Sequence, residues 1–422
     1  MSPAPELTHI PINQSTGALA AISGSPYTIP AAANGVTVDP TGKLLYASIF
    51  GNLTSAQTAP DVITYSIHTA TGALTQMATQ GVDGNQGESL AISTGTKAAA
   101  YTPKFVYATN QGTQNISEYT INDVTGALTA ITGSPLSDTN GPQLIAATPS
   151  GAFVYTGNAN NSITEYSVNA TTGALRLLSG SPITGFGSVN GLAVDPASGF
   201  LLVLDGTKQA LSSYAINSGS GNLTLLSSSA TPTTTSQSVA LDPTGTVAIV
   251  TSLTELDYYQ LNNGVLAPLK SQTGTNFPIA VATDQSSQYV FVAENTGNAV
   301  ATYAMPFGGL LSSATTGNNP RAVIAEPSGK YVYVANAGDG TISAYSLNVS
   351  TGNLTQIGSA FPAGAGTDAL STSNDGKHLY ATNNTDGTIS TFVINSNGSL
   401  SSLGTTAAGS FPTSLVTTGT MQ

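Results

Sequence analysis

The sequence contains no cysteine and no tryptophan, and it has few charged residues. The absence of cysteine excludes disulfides, thiolate catalysis and cysteine-ligated metal sites. Only 7% of the 422 residues are charged, against roughly 25% in a typical globular domain. Nine Lys and Arg residues in a chain of net charge -12 cannot form the basic surface that nucleic acids or anionic membranes require. We therefore expect no nucleic-acid partner.

Long apolar runs are also missing. No stretch approaches 18 apolar residues, so the sequence predicts no transmembrane segment. The first residues, MSPAPEL, lack the basic and apolar regions of a signal peptide. The low-charge composition, rich in Thr, Ser and Asn, nevertheless favours a secreted mature chain, either extracellular or in the periplasm and cell envelope.

The chain does have Gly (45), Pro (22) and many short apolar segments, arranged as a unit that recurs every 42–55 residues. One clear copy begins at Arg321 and reads RAVIAEPSGKYVYVANAGDGTISAYSLN. The typical copy holds a short apolar run, a tight turn that reads acid-Pro-x-Gly in three copies (39–42, 242–245 and 326–329), and two further apolar segments, in most copies around an Asn-containing turn. A Gly-x-Leu turn then leads into a fourth segment. Four short antiparallel strands per repeat predict an all-β fold, a β-propeller.

Counting the strands predicts eight complete units and a composite closing blade, hence eight to nine blades in one domain over 1–422. The closing blade combines residues 6–24 with residues 412–418, and by this count it lacks its second strand. Three explanations remain open: the strand lies upstream in a precursor, another chain donates it by β-augmentation, or one unit is not a true blade. The second explanation predicts self-assembly through the closing blade.

The repeats YVYVANAGDGTISAYSLN (331–348), FVYATNQGTQNISEYTIN (105–122) and LYATNNTDGTISTFVIN (379–395) resemble the YVTN-repeat, lactonase-type propeller family, which includes enzymes similar to 6-phosphogluconolactonase. The resemblance covers nearly the whole chain. It implies a seven-bladed fold, a secreted or envelope-associated bacterial protein, and catalytic His, Arg and Glu residues at the channel mouth. In the family a Pro-His-x-apolar motif opens the innermost strand, whereas the closest match here, Pro320-Arg321-Ala322-Val323, carries Arg.

The residues that open the innermost strands are the candidate ligand-binding residues, because loops at one end of a propeller channel carry function on a rigid scaffold. None of them is a histidine. The candidates are Asn34, Glu88, Gln143, Asn190, Gln237, Arg321 and Asp368, and the same position holds Ile279 and Thr413. Arg321 and Asp368 fall in consecutive units and are predicted to pair. The alternative is that these side chains only satisfy backbone groups at a solvated channel mouth.

Other chemistry has little support in the sequence. The histidines His9, His68 and His378 have no metal-ligand spacing, and no nucleotide-binding motif is present, so we predict no metal and no cofactor. The acids of the Asp-Pro-Thr-Gly and Glu-Pro-Ser-Gly turns are interpreted as turn formers. The Asp339-Gly340 and Asp386-Gly387 pairs are interpreted as hairpin turns, since the acid spacing of a calcium loop is missing.

Three functional hypotheses remain. The first is a binding or scaffold module without the family's catalytic residues, which takes a small polar ligand or a carbohydrate. The second is a lactone hydrolase that acts at the channel mouth through Arg321 with Glu88 or Asp368. The third is a carbohydrate-active enzyme that uses Glu88 and Asp368, whose carboxyl groups would then lie roughly 5–9.5 Å apart.

Overall fold

The computed structural model of the protein describes residues 6–7, 27–28, 33–38, 44–49, 61–67, 74–81, 101–231 and 236–421. The chain divides into two compact units, residues 1–98 and residues 99–422. The single domain over 1–422 that the sequence predicts stays a prediction. No helix among the described residues is long and apolar enough to cross a membrane.

The second unit contains seven antiparallel sheets, which we number as blades 1 to 7 in chain order. In each blade the strands are called inner, second, third and outer. The inner strands are Pro412–Met421, Pro142–Ala147, Val189–Val194, Ser238–Leu241, Pro278–Thr283, Pro320–Ala325 and Thr367–Thr372. The second strands are Tyr101–Asn110, Phe153–Asn158, Phe200–Asp205, Val247–Ser252, Tyr289–Glu294, Tyr331–Asn336 and His378–Asn383.

The other two strands of each blade follow in chain order. The third strands are Asn115–Ile121, Ile163–Val168, Ala210–Ile216, Glu255–Asn262, Ala299–Ala304, Thr341–Leu347 and Thr388–Ile394. The outer strands are Leu128–Ala130, Leu175–Leu177, Leu223–Ala230, Val265–Thr273, Leu310–Thr315, Leu354–Gln356 and Leu400–Ala407. Two short strands, Leu136–Ser137 and Phe361–Pro362, add to the third strands of blades 1 and 6. The prediction of four-stranded antiparallel blades is confirmed.

The predicted number of eight to nine blades is wrong, because the ring closes differently. The inner strand Pro412–Met421 pairs with Tyr101–Asn110, so the C-terminus supplies the innermost strand of a blade whose other strands come from residues 101–130. The sequence instead predicted that residues 412–418 share a blade with residues 6–24. It predicted a segment near Glu88 as the inner strand of the blade that contains residues 101–110. Blade 1 therefore has all four strands from one chain, and the reason for expecting a donated strand falls away. Residues 8–24 and Glu88 lie outside the described residues.

The first unit contains one further sheet of the same pattern. Its strands are Ala33–Val38, Leu44–Ile49, Asp61–Ile67 and Leu74–Gly81, paired antiparallel in that order. A two-stranded sheet pairs Glu6–Leu7 with Tyr27–Thr28. The first complete repeat of the sequence thus forms a four-stranded sheet, as predicted, but in a unit of its own.

Apolar side chains fill the space between neighbouring blades. One cluster joins Phe291 and Val300 of blade 5 to Val332 and Tyr345 of blade 6, and all four are buried. Because side chains alternate between the two faces of a strand, second strands that are apolar throughout can contact both neighbouring blades. This explains the continuous apolar runs that mark each repeat.

The tyrosine of the repeat motif ties each of four blades to the next one. Its hydroxyl donates to a glycine carbonyl in the outer turn of the following blade: Tyr107 to Gly173 (2.7 Å), Tyr155 to Gly221 (2.8 Å), Tyr333 to Gly398 (3.0 Å) and Tyr380 to Gly126 (3.1 Å). These glycines have positive φ, and an added Cβ would collide with a large side chain that begins the second strand of the preceding blade. In blade 7 that side chain is His378, which packs over Gly126 of blade 1.

The asparagine that ends the motif fixes the hairpin to the third strand. In blade 7 the Asn383 Nδ2 donates to Thr388 Oγ1 (2.9 Å) and to Ser390 Oγ (2.8 Å), and Asn336 makes the same pair of bonds in blade 6. For Asn336 the sequence suggested an Asx turn or a left-handed residue. Asn336 instead ends the second strand, and its side chain reaches across the hairpin.

Candidate functional site

A β-bulge at the start of the inner strand places the candidate residues. The register shifts by one residue at the candidate position in blades 1, 2, 3, 5, 6 and 7, between Pro412 and Ser414 in blade 1 and between Pro320 and Ala322 in blade 6. The bulged residue has no ladder partner, and bulges of this kind re-aim a side chain. Proline is tolerated at the first position of the bulge, because the amide hydrogen that it lacks is not needed for the strand pairing there.

The bulges bring most of the candidates to one cavity of about 300 Å³ at the end of the ring where the inner strands begin. Six of the nine positions line it: Asn190, Gln237, Ile279, Arg321, Asp368 and Thr413. Gln143 lies at the equivalent bulge of blade 2, and its neighbours Leu144 and Ile145 line the same cavity. In the seven-bladed unit these residues therefore lie together at one end of the ring, and their role as ligand-binding residues stays a prediction.

Arg321 and Asp368 form an ion pair between blades 6 and 7, as predicted. The Arg321 Nε lies 3.1 Å from Asp368 Oδ1. The arginine side chain is 44% exposed and the aspartate 17% exposed, so the guanidinium keeps donors available to solvent. Burial raises the pKa of the Asp368 carboxyl above its usual range, although Arg321 acts in the opposite direction. The pair offers a planar array of donors beside a carboxylate that is a stronger base than usual.

Two of the lining side chains are already occupied by backbone groups. Asn190 Nδ2 donates to the Ser236 carbonyl (2.8 Å), and Thr413 Oγ1 donates to the Gln143 carbonyl (2.7 Å). Thr109, which the sequence analysis did not single out, donates to the Gln143 carbonyl as well (3.2 Å). Asn190 and Thr413 thus satisfy backbone carbonyl groups at the channel mouth.

Two candidates are not among the described residues that line this cavity. Asn34 lies in Ala33–Val38, at the bulge of the sheet in the first unit. Glu88 lies outside the described residues, so the structure gives no distance between its carboxyl group and that of Asp368. Asp368 is thus the carboxylate among the residues that line the described cavity.

The acids that the sequence assigned to turns serve that purpose. Asp242 accepts from the backbone amides of Thr246 (2.8 Å) and Val247 (2.7 Å), and Glu326 accepts from Ser328 (2.7 Å) and Lys330 (2.9 Å). The hairpin residue Asp339 accepts from the Asn318 amide (2.6 Å), and no group of three metal-ligating side chains occurs among the described residues. His378 is buried, consistent with a structural role.

A second and larger cavity, of about 700 Å³, lies at the opposite end of the inner strands. It is lined mainly by aliphatic residues such as Val281 and Ala325 and by turn prolines such as Pro243 and Pro327. Sequence analysis did not point to it, because these residues read as core and turn positions. Its lining also includes Asp242, Gln285 and Asn374, whereas Arg321 and Asp368 lie at the other mouth.

Comparison with known proteins identifies the family. A family model described as "Lactonase, 7-bladed beta-propeller" matches residues 6–136, 98–189, 131–247 and 246–371. The overlapping matches reflect the repeats, and together they extend over residues 6–371. No curated protein matches the chain.

Solved structures resemble the chain in fold. A candidate 6-phosphogluconolactonase from Bacteroides fragilis superposes with a TM-score of 0.65 at 15% identity, over 78% of this chain and 99% of that one. The periplasmic gluconolactonase PpgL of Pseudomonas aeruginosa gives a TM-score of 0.63 at 14% identity, over 76% and 99%. A functionally unknown protein from Desulfotomaculum acetoxidans gives 0.62 at 16% identity, over 75% and 99%. At these identities the likeness is one of fold.

Proposed function

We propose, from the premise that this chain belongs to the family of seven-bladed lactonase β-propellers, that it binds a small polar ligand at the channel mouth around Arg321 and Asp368. The observation that carries the proposal is the placement of this ion pair by two neighbouring bulges. Arg321 is one of two arginines in a charge-poor chain, and here it is held beside a mostly buried carboxylate.

The ligand class follows from the donors and acceptors that remain. The guanidinium of Arg321 favours a planar acceptor such as a carboxylate or a lactone carbonyl. The Asp368 carboxylate accepts hydrogen bonds from hydroxyl groups. A cavity of about 300 Å³ suits one monosaccharide-sized molecule, the lower end of the size range of ligand pockets. A hydroxy acid or its lactone satisfies all three conditions.

The test is calorimetric titration of the protein with sodium gluconate. We expect binding that weakens about tenfold or more in Arg321→Ala, since a charged hydrogen bond is worth about 1.5–3 kcal/mol. Arg176→Ala is the matched control, because Arg176 is exposed on the outer strand of blade 2. Equal affinities for the Arg321 variant and the parent protein would refute the proposal.

Hydrolysis of a lactone is the second candidate function. Two observations favour it: the family to which the chain belongs and the raised pKa of Asp368, which makes its carboxylate a stronger base. Arg321 would hold the lactone carbonyl and Asp368 would take a proton from the attacking water. Activity should then rise with pH as Asp368 ionises, and the midpoint should lie above the ordinary carboxyl range because burial raises its pKa. Acid release from glucono-δ-lactone in a pH-stat, corrected for spontaneous hydrolysis, tests this. Loss in Asp368→Asn with retained gluconate binding would support catalysis.

A periplasmic or extracellular location remains part of the proposal. It is supported by the low-charge composition and by the likeness to a protein described as a periplasmic gluconolactonase. Fractionation of the producing cells, with an antibody against the seven-bladed unit, tests it. Recovery with cytosolic markers would contradict this location.

A further inference from the structure

A separate groove lies on the rim of the ring, between blade 7 and blade 1. We call it the rim groove. It has a volume of about 420 Å³, and its side chains come from Thr113, Asn384, Thr385, Asp386, Ser410 and Phe411. It shares no lining residue with the channel-mouth cavity. The inner strand of blade 1 begins opposite Asn110. The 408–411 loop and the turns between the second and third strands of blades 1 and 7 therefore lie at the same end of the ring as Arg321.

The backbone of Phe411 is strained. Its φ is 53°, in the left-handed region, and it precedes Pro412, which further restricts its backbone. Blades 2, 5, 6 and 7 also have a positive φ at this position, where they use Gly141, Phe277, Asn319 and Gly366. Glycine and asparagine adopt this conformation at low cost, whereas a phenylalanine does not. Phe411 shares the strain with Phe277 and differs from it in exposure, because Phe277 is half-buried and Phe411 is exposed.

The same phenylalanine is presented to solvent and held in place. Its side chain is 54% exposed. The Gln111 amide donates to the Phe411 carbonyl and the Gly112 amide donates to the Ser410 carbonyl, both at 3.1 Å. The ring lies so close to Gly112 that an added Cβ would come within 2.7 Å of its Cδ2 atom. Phe411 is therefore a pre-organised aromatic surface rather than a loosely exposed side chain.

Polar groups border the ring on the blade 7 side. The Asp386 Oδ2 accepts from the Ala365 amide at 2.7 Å, which fixes the carboxylate and leaves its other oxygen to accept further bonds. The side chains of Asn384, Thr385 and Thr113 add amide and hydroxyl groups. The lining contains no Lys or Arg, so an anionic ligand would meet an unpaired carboxylate.

We propose that the rim groove binds a neutral saccharide, with one sugar ring stacked on Phe411 and its hydroxyl groups bonded to Asp386 and its polar neighbours. An aromatic ring offers a flat apolar face with low conformational entropy to lose. A sugar offers the matching combination, apolar C–H groups on one face and hydroxyl groups around its edge. The equivalent groove between blades 6 and 7 has Gly366 where this one has Phe411, so it lacks the stacking surface.

The experiment measures binding of cellopentaose and N-acetylchitopentaose to the full chain by saturation-transfer NMR and calorimetry, with oligogalacturonate as the anionic comparison. We expect one of the neutral probes to bind, about tenfold or more weaker binding in Phe411→Ala, and retained binding in Phe411→Tyr. Leu403→Ala removes an equally exposed apolar side chain, 47% exposed, from the outer strand of blade 7 and should change nothing. Arg321→Ala should bind the saccharide normally, which separates this groove from the channel mouth.

Phe411→Gly gives a second, independent readout. Glycine relieves the strained φ, so this variant should keep or gain thermal stability while it loses saccharide binding. Failure of both neutral probes to bind at about 10 mM, or equal binding by the parent and Phe411→Ala proteins, would overturn the proposal. Tighter binding of oligogalacturonate than of either neutral probe would overturn it as well.

Discussion

Replacing His378 by phenylalanine should stabilise the protein, and the gain should grow as the pH falls. His378 is 2% exposed, and its Nδ1 has no hydrogen-bond partner. It occupies the position at which blades 1, 2 and 3 have Phe105, Phe153 and Phe200, packed over a glycine of the next blade. An unpaired buried nitrogen costs about 1–3 kcal/mol, so Phe at this position should recover at least part of that cost at neutral pH.

The pH dependence follows from the protonation of the imidazole. Burial lowers the pKa of His378 below its usual value of 6.5, and Lys377 adds to this, while Asp375 acts in the opposite direction. Below pH 6.5 the unfolded chain therefore binds a proton that the folded protein does not, and stability is lost as the pH falls. The loss is about 1.4 kcal/mol per pH unit for as long as the folded His378 stays neutral.

Urea unfolding of both proteins at several pH values, followed by circular dichroism, measures this difference. The free energies of unfolding should diverge below pH 6.5, with the variant the more stable. As a reciprocal control, Tyr331→His places an imidazole at the same position of blade 6 and should introduce a similar acid sensitivity. Parallel pH profiles for His378→Phe and the parent protein would refute the reasoning.

Three further outcomes are expected. Tyr333→Phe removes the hydrogen bond to the Gly398 carbonyl and should lower the free energy of unfolding by about 1 kcal/mol, whereas Tyr331→Phe, whose hydroxyl is exposed, should change it less in the same urea titration. Asn383→Ala should lower the free energy of unfolding by about 1 kcal/mol more than Asn336→Ala does. The reason is that Asn383 Oδ1 accepts a hydrogen bond from Thr367, while Asn336 Oδ1 has no partner. Equal losses in the two variants would contradict this. Removal of residues 412–422 exposes the edge of the 101–110 strand and should abolish cooperative unfolding and promote aggregation, which scanning calorimetry and light scattering would detect.

Much of the architecture could be predicted from the sequence because each blade is a local structure. The acid of the Glu-Pro-Ser-Gly turn bonds amides two to five residues away, and Asn336 bonds Thr341 and Ser343 in the adjoining strand. Interactions over such short separations leave a signature that repeats with each blade. The same holds for the bulged residue, which in six of the seven blades follows the residue that opens the inner strand.

The site could be predicted in part for the same reason. The position of Arg321 and Asp368 within their repeats indicated that both face the channel mouth, and their consecutive repeats indicated that they pair. Phe411 escaped prediction, because nothing in its sequence neighbourhood distinguishes a strained, exposed ring from an ordinary apolar residue before a strand. Its contact with Gly112 follows from the closure of the ring, which brings residues 410–411 beside residues 111–112.

The sequence by itself determined the all-β repeat, the four strands of each blade and the residues that meet at the mouth, since all of these depend on contacts within one repeat or between consecutive ones. The tertiary structure alone decided the number of blades and the closing partner. Pairing of residues 412–421 with residues 101–110 joins segments some 300 residues apart, and many inner strands share the apolar pattern that such pairing needs. The choice is made by the geometry of the closed ring, in which seven blades bring the C-terminal strand to the open edge at Tyr101–Asn110.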